Sequence, residues 1–157
     1  MKKDRFLASL VITSCLFSVS LFAQPAYSAY TLDQESEIAL WSDYIKDYAN
    51  DAFGYVSRAN IHYAAGEYAN AIIDYDAALN IDKNNTDAYV KRANAKYQLN
   101  KLEEALNDYV AALEINPSLP EARFNVGRIL YDAQDYNRAV EQMRVAVQLV
   151  QDVPVYY

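Results

Sequence analysis

The sequence predicts an all-α fold, a solenoid of three helix–turn–helix units behind an N-terminal capping helix. Three observations carry this prediction. Residues 52–153 align with themselves without a gap at a spacing of 34 residues. Four columns stay in register through all three copies: Tyr63, Tyr97 and Tyr131; Ala71, Ala105 and Ala139; Ala78, Ala112 and Ala146; and the small residues Ala59, Ala93 and Gly127. Within each copy the apolar side chains recur at three and four residues, the helical period, and not at two.

The elements follow in order. Met1–Arg5 is basic, Phe6–Ala23 is an uncharged and mostly apolar run, and small residues close the segment at Ala23-Gln-Pro-Ala-Tyr-Ser-Ala29. That order of charge, apolar stretch and small side chains describes a secretory signal over residues 1–28, with the cut falling between residues 23 and 29. Two alternatives stand beside cleavage. The run is just long enough to remain as a membrane anchor, although Ser9, Thr13, Ser14, Ser18 and Ser20 dilute it. Ile12-Thr13-Ser14-Cys15 is similar to a bacterial lipidation site, but the apolar stretch continues past Cys15 instead of stopping there. Each outcome gives an exported protein, with the periplasm as the expected compartment and secretion or membrane anchoring as the alternatives.

Residues 29–51 read as a helix that Thr31 or Asp33 caps, with Ile38, Trp41, Ile45 and Tyr48 as its apolar stripe. Trp41 and Ile45 stand one repeat before Tyr75 and Leu79, so this helix reads as a degenerate half-repeat covering the first full one. The first unit, residues 52–85, places Tyr55, Ala59 and His62 on one helix and Tyr68, Ala71, Ile72, Tyr75, Ala78 and Leu79 on the next, around a turn at Gly66-Glu67. Residues 86–119 repeat the plan with a turn at Asn100-Lys101 and a stop at Asn116-Pro117, and residues 120–153 repeat it around Gln134-Asp135. The chain finishes in an apolar tail, 154–157, and no polar helix follows Val140–Val150. This end is expected either to associate with a partner or a second copy, as in a homodimer, or to be covered by the tail folding back.

At this point the residues resemble the tetratricopeptide repeat family. The run Gly66-x-Tyr68-x-x-Ala71-Ile72-x-Asp74-Tyr75-x-x-Ala78-Leu79-x-Ile81 is close to the family signature. So is Glu103-Glu104-Ala105-Leu106-x-Asp108-Tyr109-x-x-Ala112-Leu113-x-Ile115-Asn116-Pro117. The third unit keeps Tyr136, Ala139, Val140 and Ala146 but has Met143 in the aromatic column. Lys83 and Gln151 replace a customary Pro, and His62, Lys96 and Leu130 replace a customary Tyr. The resemblance implies a right-handed superhelix whose concave groove is lined by the first helix of each unit.

Comparison between copies predicts contacts as well. Arg58 and Asp74 in the first unit correspond to Arg92 and Asp108 in the second, and both charges vanish together in the third, as Val126 and Gln142. Joint loss predicts an Arg–Asp bridge between the two helices of units one and two.

Composition removes whole classes of function. Residues 1–28 hold three basic residues against one acidic; the remainder holds 11 basic and 20 acidic residues, net -9, which repels phosphate backbones and argues against nucleic-acid binding. One His and one Cys cannot build a zinc site, and neither a Gly-x-Gly-x-x-Gly run nor a phosphate-cradling loop is present, so no metal and no cofactor is expected. His62 sits in a core-adjacent column and reads as structural, not catalytic. The acidic pairs Asp74/Asp76 and Glu103/Glu104 diverge on a helix and read as a solvated face. The expectation is a non-catalytic protein.

The informative surface is a ladder on the first helices: Val56, Asn60 and Tyr63; Val90, Asn94 and Tyr97; Phe124, Arg128 and Tyr131, with Lys91 beside it. Asn offers a donor and an acceptor that match a peptide bond, and Tyr offers a stiff contact surface with a polar tip. The 15 tyrosines of the whole chain exceed what a small core usually uses, and three repeated polar groups beside aromatics suit a ligand better than stacking alone. The resemblance also excludes one occupant. Val56, Lys91, Glu121 and Asn125 stand where the carboxylate clamp of chaperone cofactors has its Lys/Asn/Arg set, and only Asn60 is retained. With Lys91 and Arg128 facing Asp87, Glu121 and Asp132, the expected ligand is an extended, weakly charged or mildly basic peptide, or a helix of a partner protein. Envelope assembly or secretion is the expected setting. The alternative is a self-associating structural component that uses the apolar C-terminal end. Membrane association is expected only if the signal is uncleaved or Cys15 is lipidated.

Overall fold

The computed structural model describes residues 31–151; the signal expected over residues 1–28, with Cys15, and the tail 154–157 lie outside them. Seven helices make up the described chain: α1 (Leu32–Asp47), α2 (Ala52–Ala64), α3 (Tyr68–Ile81), α4 (Thr86–Gln98), α5 (Leu102–Ile115), α6 (Pro120–Asp132) and α7 (Tyr136–Gln151). Substantial packing joins each helix only to the one before and the one after it, which is the signature of a solenoid. None of these helices is long and apolar enough to cross a membrane.

Side-chain oxygens start several helices. Thr31 and Gln34 cap α1 reciprocally, Thr31 Oγ1 accepting from the Gln34 amide at 3.2 Å while Gln34 Oε1 accepts from the Thr31 amide at 2.9 Å. Asp33 lies inside the first turn and does not cap. Asp51 starts α2, accepting from the Phe53 amide at 2.9 Å and from the Tyr44 hydroxyl at 2.6 Å, which ties the α1–α2 corner. Ile45 is the buried residue of α1, with Ile38 and Trp41 half-buried. Tyr48 departs from the predicted stripe. It is the C-cap, 57% exposed, and stacks on Tyr44 outside the interface.

The small-residue columns are the helix contacts. Ala59, Ala71, Ala78, Ala93, Ala105 and Ala112 are fully buried, and Ala139 and Ala146 nearly so. Gly127 holds the place of Ala59 and Ala93 because its neighbour differs: a Cβ there would stand 2.8 Å from Cγ of Met143, the residue that replaces Tyr75 and Tyr109. Those two tyrosines are the largest fully buried side chains and form the centres of two successive cores. At the far end α7 leaves Val140, Val147 and Val150 more than half exposed, on an amphipathic helix with no described neighbour beyond it.

Each inner turn uses one residue with positive φ at the same repeat position: Gly66 at 80°, Asn100 at 58° and Gln134 at 63°. Only glycine adopts this region without strain from its side chain.

The bridges between paired helices are built as follows. Arg58 Nε and Nη2 donate to the two oxygens of Asp74 at 2.8 and 2.7 Å, and Arg58 Nη1 reaches Ser42 Oγ of α1 at 3.0 Å. Arg92 grips Asp108 in the same bidentate way at 2.8 and 2.6 Å and reaches back to Asp76 of the preceding unit at 2.5 Å. Each carboxylate also has a second basic neighbour that the copy-to-copy comparison of Arg and Asp left out. His62 Nε2 lies 3.7 Å from Asp74, and Lys96 Nζ lies 2.8 Å from Asp108. The third unit replaces the whole set, with Val126 and Leu130 buried and Gln142 accepting from Arg123 at 3.3 Å.

Three predictions test this frame. Gly66→Ala, where nothing lies within 4 Å of the added methyl, is expected to lower stability by about 1 kcal/mol through backbone strain alone, whereas Gln134→Gly is expected to raise it; denaturant melts decide both. Asp108→Asn leaves Arg92 with only the half-exposed Asp76 and Lys96 with only Glu104 at 3.9 Å, and is expected to cost about 3 kcal/mol, more than the triple change Arg92→Val, Lys96→Leu and Asp108→Gln that copies the third unit. An unchanged melting temperature in Asp108→Asn would remove the bridge from the stability argument. Burial pushes the His62 imidazole below its ordinary value, against the opposing pull of Asp74 and with Arg58 adding to the depression. The unfolded chain therefore takes up that proton first, and stability is expected to fall as pH drops through about 6.5. Melting temperatures at pH 7.5 and 5.5 should show this loss in the wild type and a smaller one in His62→Leu, since His62 is the single imidazole of the chain.

Candidate functional site

The first helices α2, α4 and α6 share a face, and the hydrogen bonds between them set its geometry. The buried hydroxyls of Tyr75 and Tyr109 need acceptors, and they find them one helix away. Tyr75 donates to Asn60 Oδ1 at 2.8 Å, and Tyr109 donates to Asn94 Oδ1. Burial pushes both phenols far above their ordinary range, so each keeps its proton and can donate it to the facing asparagine. Asn94 Oδ1 accepts a second bond, from Asn125 at 3.1 Å, while Asn94 Nδ2 donates to Glu121 at 3.0 Å. A chain of contacts thus runs from the core of unit two to the open face of unit three.

The asparagines that the sequence offers to a peptide thus also serve the core. The Asn94 carboxamide is committed to three internal partners, and the oxygen of Asn60 to one. The physical reason is that a buried phenol without an acceptor is costly, so the asparagine opposite it serves the core first. Val90 is 7% exposed, packed in the core while also bordering the groove. Val56, Tyr63 and Tyr97 are half-buried and pack partly against the cores. Phe124 and Tyr131, at 49% and 58% exposed, are the open aromatic surfaces of the ladder.

Charge along the face is arranged in pairs. Lys91 lies 3.1 Å from Asp87 on its own helix. The Arg128 guanidinium stacks 4.0 Å over the Tyr97 ring, and the Tyr97 hydroxyl donates to Asp132 at 3.2 Å. Arg128 Nε is buried with no hydrogen-bond partner. Tyr63 and Tyr131 each meet the tyrosine that opens the next helix, Tyr68 and Tyr136, edge to face at 5.3 Å. Between α2, α4 and α6 lies a cavity of about 170 Å³ bordered by Asn60, Tyr63, Asp87, Lys91, Asn94 and Glu121, with Tyr75 and Val90 below. An adjoining groove of about 320 Å³ shares Asp87, Val90 and Glu121 with it and runs over Leu119 and Pro120.

The sequence carried a signal for the tyrosine–asparagine bonds that column reading passed over. Where Tyr75 and Tyr109 give way to Met143, Asn60 and Asn94 give way to Arg128, the same joint loss that exposed the Arg–Asp pairs. Among the described residues no group of three or more His, Cys, Asp or Glu side chains comes together to hold a metal ion. The face offers aromatic area, fixed carboxylates and a stacked guanidinium, which is chemistry for holding a chain.

Comparison with known proteins places this geometry. The family model of the TPR repeat matches residues 59–99 and 93–132. No curated protein sequence matches the chain. Among solved structures, the crystal structure of MamA superposes with a TM-score of 0.74 over 78% of this chain and 72% of that one, at 17% identity. The Arabidopsis OM64 TPR domain matches 62% of this chain over 80% of its own length, at 27% identity and a TM-score of 0.59. The first TPR of Spaghetti (RPAP3), solved bound to an HSP90 peptide, matches 65% of this chain over 81% of its own, at 25% identity and a TM-score of 0.63. The profile falls on the helix pairs described above and the backbones superpose on them, so the chain belongs to the tetratricopeptide repeat proteins.

Proposed function

We propose that this chain is an exported, non-catalytic scaffold that holds an extended peptide or a helix of a partner protein on the face of α2, α4 and α6. The observation that carries the reading is the open ladder itself: Phe124 and Tyr131 exposed, Tyr97 roofed by Arg128, and fixed carboxylates beside them. Exposed aromatics flanked by oriented polar groups suit a peptide, which brings apolar side chains together with amides. The RPAP3 structure supports peptide binding by this fold. It does not extend to a chaperone tail here, because Val56, Lys91, Glu121 and Asn125 occupy the columns of the Lys/Asn/Arg clamp and only Asn60 of that set is retained. Export rests on residues 1–28, and envelope assembly or secretion is the setting that follows from it.

A second reading has its own observation. Val140, Val147 and Val150 form an exposed apolar stripe, and a structural component that self-associates through this end would cover it. Sedimentation across a hundredfold range of concentration separates the two: a constant monomer mass removes the second reading.

The first reading is tested by capture from an envelope extract, comparing wild type with Phe124→Ala/Tyr131→Ala. These side chains are exposed, so helicity and melting should be unchanged. Capture is expected to fall about tenfold or more in the variant, as the loss of two aromatic anchors implies. Equal capture by both proteins would move the working surface off this face.

A further inference from the structure

Resting on the peptide-binding reading, we infer that the cavity between α2, α4 and α6 is a specificity pocket for one lysine or arginine side chain of the bound peptide. Size is the first argument. At about 170 Å³ the cavity holds roughly five or six waters at ~30 Å³ each, the bulk of one long side chain and too little for a folded element. Charge is the second. Two carboxylates, Asp87 and Glu121, border it against one cation, Lys91, which lies beside Asp87. One guest cation balances the set, whereas a guest carboxylate doubles the excess.

Preorganisation is the third argument. Glu121 is held at the rim by Asn94, and Asn94 is anchored by the buried Tyr109 hydroxyl and by Asn125, so one carboxylate waits in place without further ordering cost. The Tyr63 ring on the opposite border adds a face that attracts a cation, and the Val90 edge below accepts the methylene stem. The adjoining groove over Leu119 and Pro120 gives the flanking peptide backbone somewhere to lie. The pocket is thus opposite in sign to a clamp for a peptide carboxylate.

The test uses the full chain and a random library of displayed twelve-residue peptides. Selected peptides are resynthesised with their basic residue and with norleucine in its place, and binding is read by fluorescence anisotropy. One basic residue is expected to dominate the selected pool, and norleucine is expected to weaken binding roughly tenfold. Glu121→Gln should weaken the basic peptide by a similar factor while leaving the norleucine peptide within about twofold, the signature of a direct coupling. Asp87→Asn should act in the same direction. Peptides that lose affinity with Phe124→Ala/Tyr131→Ala but show no preference for a basic residue would overturn the pocket and leave the scaffold reading standing. Peptides indifferent to both sets of changes, or a pool with no binder, would overturn both.

Discussion

A pair of helices can approach closely only where neither carries bulk at the crossing, and that condition organises this chain. The alanines of the recurring columns sit at the crossings with at most 4% of their surface exposed. Their smallness leaves room at the flanks for the one large group that units one and two each bury, Tyr75 and Tyr109. A buried phenol then demands an acceptor, which obliges Asn60 and Asn94 to stand opposite. Gly127 shows the same rule by exception. When Met143 takes the place of the tyrosine, its flexible chain enters the crossing, and the facing alanine has to shrink to glycine.

Units one and two solve the remaining space with charge, and unit three solves it with hydrocarbon. Asp74 and Asp108, each at most 5% exposed, survive burial because a bidentate Arg and a second base surround them. Val126, Leu130 and Gln142 take the equivalent positions without an ion pair, Gln142 accepting from Arg123. The two solutions are alternatives of similar worth, as replacement of buried ion clusters by packed apolar groups elsewhere suggests. The ionic version does something the apolar one does not. Arg58 bonds to Ser42 in the preceding helix and Arg92 to Asp76 in the preceding unit, so the charged sites also fasten neighbouring units to one another.

The fold was legible because its determinants repeat. Four columns and a helical period survive three copies, and each copy checks the others; the Arg–Asp positions were legible for the same reason. Less of the face could be read. Column spacing shows that Asn60 and Asn94 lie beside Tyr63 and Tyr97, but spacing says nothing of which neighbour claims a carboxamide, and the claim comes from tyrosines on α3 and α5. Lys96 and His62 looked like departures from the repeat pattern because their partner lies on the other helix of the unit. Val90 carries two roles that spacing alone does not separate, packing in the core and bordering the groove.

The hydrogen bonds divide the face into two kinds of surface. Around units one and two its polar groups belong to the core: moving Asn94 disturbs Tyr109, and moving Glu121 disturbs Asn94. On the proposed reading, such groups would recognise a ligand by being in place beforehand and would tolerate little variety in what they hold. Around unit three the core is apolar, so Phe124, Arg128 and Tyr131 answer to no buried tyrosine and present aromatic area with a stacked cation. Arg128 Nε has no acceptor, a further sign that its position is set by the Tyr97 ring and not by an internal network. A peptide lying along the face would therefore meet a rigid, sign-selective pocket at one end and a broad, accommodating aromatic surface at the other. Selectivity would come from the first and contact area from the second, which is how a small scaffold can discriminate among partners without a large interface.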